Sequence, residues 1–98
     1  MKHKKLQDQV IVITGASSGI GLCTALLAAE RGAQVVLLGR SAGTLNDIVH
    51  AISSEGGKAQ ALCVDVSSRE AVQRAIGDIR GMHGRIDTWV NNAGVAIY

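Results

Sequence analysis

The sequence contains no proline and no phenylalanine, and its only aromatic residues are Trp89 and Tyr98. Hydrophobic residues nevertheless make up 47% of its 98 residues, so wholesale disorder is excluded and a core has to be built from aliphatic side chains. This length indicates one domain or a part of one.

Cysteine and net charge are also scarce. The two cysteines, Cys23 and Cys63, lie far apart in apolar stretches, which indicates buried free thiols rather than a disulfide framework or a metal site. The net charge of +2 is too small for a nucleic-acid-binding surface, and the basic residues near the start predict a flexible tail over residues 1–8. No apolar run approaches the roughly 18 residues of a membrane span, and no signal-peptide pattern is present. We therefore expect a cytoplasmic protein that binds neither nucleic acid nor a membrane.

Glycine, by contrast, is concentrated in residues 14–21, between an apolar run and an Ala/Leu-rich segment. That order predicts a buried strand, a tight turn and a helix. A turn that opens a helix presents unpaired N–H groups and the positive end of the helix dipole, which suits a phosphate or pyrophosphate. Serine hydroxyls would add donors and an N-cap. The alternative is an ordinary turn with flexible glycines. The candidate binding residues of this loop are Gly15, Ser17, Ser18, Gly19, Ile20 and Gly21.

Four segments predict strands, and the first two are apolar runs that do not alternate with polar residues, which indicates burial on both faces, as in a parallel sheet. The four segments occupy residues 10–14, 34–38, 59–64 and 86–90. The intervening segments predict three helices, since apolar residues recur at helical spacing, as at Leu45, Ile48 and Ile52. The pattern β-α-β-α-β-α-β predicts an α/β fold, a truncated Rossmann-type doubly wound parallel sheet. Right-handed crossovers favour strand order 3-2-1-4, which rests in addition on the resemblance described below.

Two details of the helices can also be predicted. Ser67 and Glu70 have the spacing of a capping box at the start of the third helix. The first helix offers five larger apolar side chains for packing, namely Ile20, Leu22, Cys23, Leu26 and Leu27.

The end of the second strand is where such a sheet distinguishes NAD from NADP, and NAD binders usually place a carboxylate there. This sequence has Gly39, Arg40 and Ser41 instead. The Arg40 guanidinium can pair with a 2′-phosphate, Gly39 leaves room for it, and Ser41 adds a hydroxyl at a helix start. We predict a preference for NADP(H) over NAD(H), the alternative being that Arg40 is a surface arginine. S-adenosylmethionine is disfavoured because it would require an acidic residue here.

Two further motifs follow the third and fourth strands. Asp65 can accept a hydrogen bond from an adenine amino group and the Val66 N–H can donate to the ring, or Asp65 only turns the chain. In the run at residues 91–94, two amides can satisfy backbone groups at the strand end, and Gly94 can lie close to a flat ligand. Here too a purely structural turn is the alternative, and we expect Asn91 to tie the fourth strand to the first.

In this order and spacing, the three motifs at residues 14–21, 65–66 and 91–94 resemble the short-chain dehydrogenase/reductase family, from about residue 6 onward. The resemblance implies that the glycine loop wraps the pyrophosphate and that Asp65 and Val66 contact adenine. It also implies that the backbone of Asn92, Ala93 and Gly94 lies along the ribose.

Two features of the sequence bear on the cofactor preference and the catalytic activity that the resemblance implies. Arg40 matches the position that NADP-preferring members use, whereas Ser17 replaces the basic residue that some of them carry in the loop. The family's catalytic Tyr-x-x-x-Lys is absent, and Tyr98 is not followed by such a lysine. We therefore assign no catalytic residue and no metal ligand.

We expect residues 1–98 to form the nucleotide-binding half of an oxidoreductase that acts on an alcohol or carbonyl group of a small molecule. The alternatives are a non-catalytic nucleotide-binding module and an inactive truncated fragment. Because the fourth strand would be an unpaired edge, we expect a marginally stable or self-associating chain. His50 and His83 are expected to be surface residues without partners.

Overall fold

The computed structural model describes residues 8–16 and 19–92. Strands and helices alternate along these residues, and all strand pairs are parallel, in the order β3-β2-β1-β4. The predicted fold class and strand order are confirmed. In chain order the elements are β1 (Val10–Thr14), α1 (Gly19–Glu30), β2 (Gln34–Gly39), α2 (Ala42–Ser54), β3 (Lys58–Cys63), α3 (Arg69–His83) and β4 (Thr88–Asn91).

The core is divided by the sheet into two clusters. Successive side chains of a strand point to opposite faces. Ile11 and Ile13 therefore pack in the cluster that includes the buried residues of α1 and α2, whereas Val10 and Val12 pack with Ala75 and Ile79 of α3. Helices thus cover both faces of the sheet, which explains why its central strands lack polar alternation.

Helix α1 packs on the sheet through small residues. Its buried residues are Gly21, Ala25, Ala28 and Ala29, whereas Ile20 is 77% exposed. The expectation that the large side chains of this helix form its packing face is wrong for all but Leu22, which is partly buried against the core. At its start, α1 lies so close to the end of β1 that an added Cβ on Gly21 would overlap the backbone of Gly15.

Two other expectations about individual side chains are corrected. Cys23 and Cys63 are both free, as predicted, but both are exposed rather than buried. The N-cap of α3 is Ser68, whose hydroxyl accepts a hydrogen bond from the Ala71 N–H at 3.2 Å, and not Ser67. Ser67 is instead bonded to Asp65, so its hydroxyl serves the loop that precedes the helix.

Polar contacts join β1 to the chain around β4 at both ends of β1. At the amino end, the Val10 N–H donates to Asp87 Oδ2 at 2.7 Å, and the Asp87 N–H donates to the Val10 carbonyl at 2.9 Å. At the carboxyl end, the Thr14 hydroxyl donates to Asn91 Oδ1 at 2.9 Å. Between these contacts, Val12 pairs with Trp89 and Ile13 with Val90.

Within the described ranges, none of the helices combines the length and the apolar character needed to cross a membrane.

Gly77 offers a test of the interior of α3. A Cβ at this exposed position would meet no atom within 4 Å, so Gly77→Ala should raise the free energy of unfolding by about 0.5–1 kcal/mol through lower chain entropy. Urea denaturation measures the change.

The matched control is Gly84→Ala. This position is equally open, but Gly84 ends α3 with φ of 81°, so alanine should cost about 1–2 kcal/mol. Equal effects of the two substitutions would contradict the assignment of these two backbone conformations.

Candidate functional site

The predicted site residues that the structure describes lie at one edge of the sheet. Gly15 follows β1, Arg40 follows β2, Asp65 lies just beyond β3, and Asn92 follows β4. Because the four strands are parallel, their carboxyl ends share this edge, where α/β sheets bind ligands. Four predicted site residues, Ser17, Ser18, Ala93 and Gly94, lie outside the described residues.

Glycine is required at three positions of the loop, at two of them by the backbone conformation and at the third by a close contact. Gly15 and Gly19 have φ of 68° and 64°, in the left-handed region that favours glycine. At Gly21, an added Cβ would lie 2.4 Å from the carbonyl oxygen of Gly15, so no larger residue fits between helix and strand. Helix α1 therefore begins directly at the carboxyl edge of β1, with the unpaired N–H groups of its first turn at this edge.

Thr14 connects the glycine loop to the end of β4. Its hydroxyl donates to Asn91 Oδ1 at 2.9 Å and accepts from the Asn92 N–H at 3.2 Å. The prediction that Asn91 ties β4 to β1 is confirmed, whereas the role of Thr14 was missed. The available signal was a buried threonine at the end of an otherwise apolar strand, where a hydroxyl requires a partner.

The side chain of Asn92 has a buried amide nitrogen. Nδ2 has no hydrogen-bond partner among the residues that the structure describes. A buried donor without an acceptor costs free energy, so this nitrogen is suited to an acceptor that enters the edge of the sheet.

Arg40 and Asp65 form an ion pair that the sequence analysis did not predict. Arg40 Nη2 lies 3.3 Å from Asp65 Oδ1, and the side chains are 73% and 47% exposed. Strands β2 and β3 are neighbours, so the strand order places residues just beyond their ends side by side. Opposite charges at these two positions were therefore the signal that could have revealed the pair.

Asp65 also turns the chain before α3. Its Oδ1 accepts hydrogen bonds from the Ser67 hydroxyl at 2.6 Å and from the Ser67 N–H at 3.0 Å. These bonds, the hydroxyl first, hold the pKa of the Asp65 carboxyl below its usual range, and the charge of Arg40 lowers it further. Asp65 is therefore ionised at neutral pH. Asp65 thus turns the chain, and its contact with adenine stays a prediction. Its Oδ2 accepts no bond from the described residues.

Gly39, Ser41 and Val66 complete the predicted set. A Cβ on Gly39 would lie 3.3 Å from a methyl carbon of Leu45, so glycine here allows α2 to pack closely against β2. Ser41 is the N-cap residue of α2, but its hydroxyl bonds to Thr44 Oγ1 at 3.0 Å rather than to a backbone N–H. Val66 is partly buried in the cluster beneath α3.

The histidines lie on helices and not at this edge. His50 is exposed, as expected, but His83 is half-buried and its Nε2 lies 2.9 Å from Gln60 Oε1, so the expectation that it has no partner is wrong. Among the described residues, no cluster of His, Cys, Asp and Glu could hold a metal ion.

A cleft of about 480 Å³ lies at the other end of the helices, between the carboxyl-terminal ends of α1 and α2. Its lining includes Leu26, Ala29, Ile52 and Gly57. This cleft brings together none of the predicted site residues.

Residues 9–98 match the sequence model of the short chain dehydrogenase family. The chain belongs to this family. It is 48% identical over 98 residues to the uncharacterized oxidoreductase YxnA of Bacillus subtilis (strain 168), covering all of this chain and 28% of that protein. Across the first three curated relatives, the chain spans 28–36% of their length, or about one third.

Two solved structures resemble this chain closely. A metagenomic short-chain oxidoreductase in complex with NADP superposes with a TM-score of 0.88 at 39% identity, over 94% of this chain and 42% of the other. An NAD⁺-bound xylitol dehydrogenase superposes with a TM-score of 0.85 at 36% identity, over 93% of this chain and 35% of the other. Structures similar to this four-stranded fold thus occur with either dinucleotide.

Gly21→Ala tests the contact between α1 and β1. The new methyl group would overlap the Gly15 carbonyl, and the required shift should lower the free energy of unfolding by about 1–3 kcal/mol. Urea denaturation measures this loss, and Gly77→Ala in the open part of α3 is the matched glycine-to-alanine control. Similar effects at the two positions would show that α1 does not approach β1 as described.

Asn91→Ala tests the link between β1 and β4. Loss of the acceptor for the Thr14 hydroxyl should lower the free energy of unfolding by about 0.5–1.5 kcal/mol. Asn91→Asp keeps an oxygen in the same place and should retain most of the stability in the same urea experiment. If the two variants lose equal stability, the side-chain oxygen of Asn91 is not what holds the strands together.

Proposed function

We propose that residues 1–98 form the dinucleotide-binding half of an oxidoreductase that transfers hydride between NADP and an alcohol or carbonyl group of a small molecule. The observation that carries the proposal is the placement of the α1 start, Arg40 and Asp65 at one edge of a parallel sheet. Membership in the short chain dehydrogenase family supports the reaction class.

The glycine loop fits the diphosphate of a dinucleotide. Gly21 lets α1 begin against the end of β1, so the first-turn N–H groups and the positive end of the helix dipole lie at the sheet edge. In this proposal Gly15, Gly19, Ile20 and Gly21 contact the diphosphate, together with the hydroxyls of Ser17 and Ser18.

Arg40 fits a phosphate on the adenosine ribose. Its side chain is 73% exposed. The predicted room beside Gly39 is filled by Leu45 of α2, so Gly39 serves the packing of α2 instead. A charge-assisted hydrogen bond contributes about 1.5–3 kcal/mol, which corresponds to roughly tenfold to hundredfold in affinity. Because one structural relative carries NADP and the other NAD⁺, the preference for NADP(H) rests on Arg40, with Ser41 beside it.

The adenosine would lie over the carboxyl ends of the strands, between the residues that follow β3 and those that follow β4. Oδ2 of Asp65, which accepts no bond from the described residues, would accept from the adenine amino group, and the Val66 N–H would donate to the ring. The backbone of residues 92–94 would follow the ribose. The buried Nδ2 of Asn92 offers a donor to a hydroxyl of that sugar, so the residues at this edge fit the group.

The nicotinamide ring supplies or receives the hydride when the dinucleotide is bound. The residues of this chain bind and orient the nucleotide, and none of them is assigned a catalytic role, since the sequence contains no Tyr-x-x-x-Lys. We therefore propose that the 98-residue chain by itself binds the dinucleotide without turning it over. The cytoplasmic location and the tendency to self-associate remain predictions.

The substitution Arg40→Gln tests the proposed preference for NADP(H) over NAD(H). The unaltered chain should bind NADPH more tightly than NADH, and Arg40→Gln should weaken NADPH binding by about tenfold to hundredfold while changing NADH binding little. Isothermal titration calorimetry measures both affinities.

The matched control is Arg31→Gln, because this exposed arginine lies in the turn before β2, at the opposite edge of the sheet. Equal affinities of the unaltered chain for NADPH and NADH would refute the preference, and absence of binding to both would refute the proposed nucleotide site.

A further inference from the structure

We propose that Asp65 sets the strength of cofactor discrimination, because its carboxylate holds the Arg40 guanidinium and competes with a ribose phosphate for it. This inference rests on the proposed function. It assigns Asp65 a role in selectivity that is separate from contact with adenine.

The geometry places the competitor next to the proposed phosphate ligand. Asp65 Oδ1 is 3.3 Å from Arg40 Nη2, and the two side chains come from the ends of neighbouring strands. The carboxylate is fixed from its other side, since the Ser67 hydroxyl and N–H both donate to the same Oδ1 atom. Asp65 is therefore held beside Arg40 by the turn before α3.

The charges determine the direction of the effect. Arg40 and Asp65 together have no net charge, so a phosphate dianion that approaches the guanidinium meets a neutral pair rather than an isolated cation. The hydrogen bonds from Ser67 keep the pKa of Asp65 low, so the carboxylate stays charged at the pH of a binding experiment. Because the Arg40 side chain is 73% exposed and that of Asp65 is 47% exposed, solvent and salt screen the pair.

The substitution Asp65→Asn separates the effect of the negative charge from that of the hydrogen bonds to Ser67. The asparagine side-chain oxygen can still accept the two bonds from Ser67, so the turn is retained while the negative charge is removed. The nitrogen that replaces Oδ2 cannot accept from an adenine amino group. That loss affects NADPH and NADH equally, so it cancels in the ratio of the two affinities.

The expected result is a higher ratio of NADPH to NADH affinity in Asp65→Asn than in the unaltered chain. The increase should be about twofold to fivefold, the range of an exposed ion pair, and should shrink when the salt concentration is raised. Isothermal titration calorimetry with both dinucleotides at two ionic strengths provides the four affinities. Asp78→Asn removes the same charge at an exposed position in the middle of α3 and should leave the ratio unchanged.

The double variant Arg40→Gln/Asp65→Asn tests whether the effect acts through Arg40. If Asp65 competes for the guanidinium, removing its charge should not change the ratio once Arg40 is absent. A ratio that rises equally in both backgrounds would show that the carboxylate repels the phosphate directly, which overturns the inference.

Three other results of these titrations would each overturn the inference. An unchanged ratio in Asp65→Asn, with both affinities reduced, would restrict Asp65 to the adenine contact and overturn the inference alone. A lower ratio would show that Asp65 orients Arg40 for the phosphate, which is the opposite role. If the unaltered chain binds neither dinucleotide, the proposed function fails, and this inference fails with it.

Discussion

The short distance between the start of α1 and the end of β1 constrains the rest of the molecule. Because Gly21 has no side chain, the helix begins against the carbonyl of Gly15 and then follows the sheet on alanines. A helix so close to the sheet brings the N–H groups of its first turn to the edge where all four strands end. The candidate binding residues that the structure describes lie at or next to that edge.

At this edge the positive charge of Arg40 is paired with the negative charge of Asp65. Arg40 extends from the end of β2 into solvent, but its guanidinium is met by a carboxylate that belongs to the turn before α3. One side chain therefore has both a structural and an electrostatic role. Asp65 shapes the loop through Ser67 and at the same time pairs its negative charge with Arg40.

The architecture was predictable from the sequence because apolar runs, helix spacing and the positions of the glycines all indicate the same alternation of strands and helices. The placement of Arg40 followed from that alternation. The packing face of α1 was not predictable, since apolar residues occur all round this helix and their periodicity marks no single face. The pairing of Arg40 with Asp65 and the bond from Thr14 to Asn91 each join residues distant in sequence, so they required the strand order.

The contacts at the two ends of β1 have a consequence for strand register. A strand that is apolar on both faces loses little burial if it slides by one residue, because either set of side chains finds an apolar layer. The alignment of β1 with β4 is therefore specified by polar groups, Asp87 at one end and the pair of Thr14 and Asn91 at the other. A slipped sheet would leave these groups facing the wrong neighbours, so hydrogen bonding selects the alignment that hydrophobicity alone leaves degenerate.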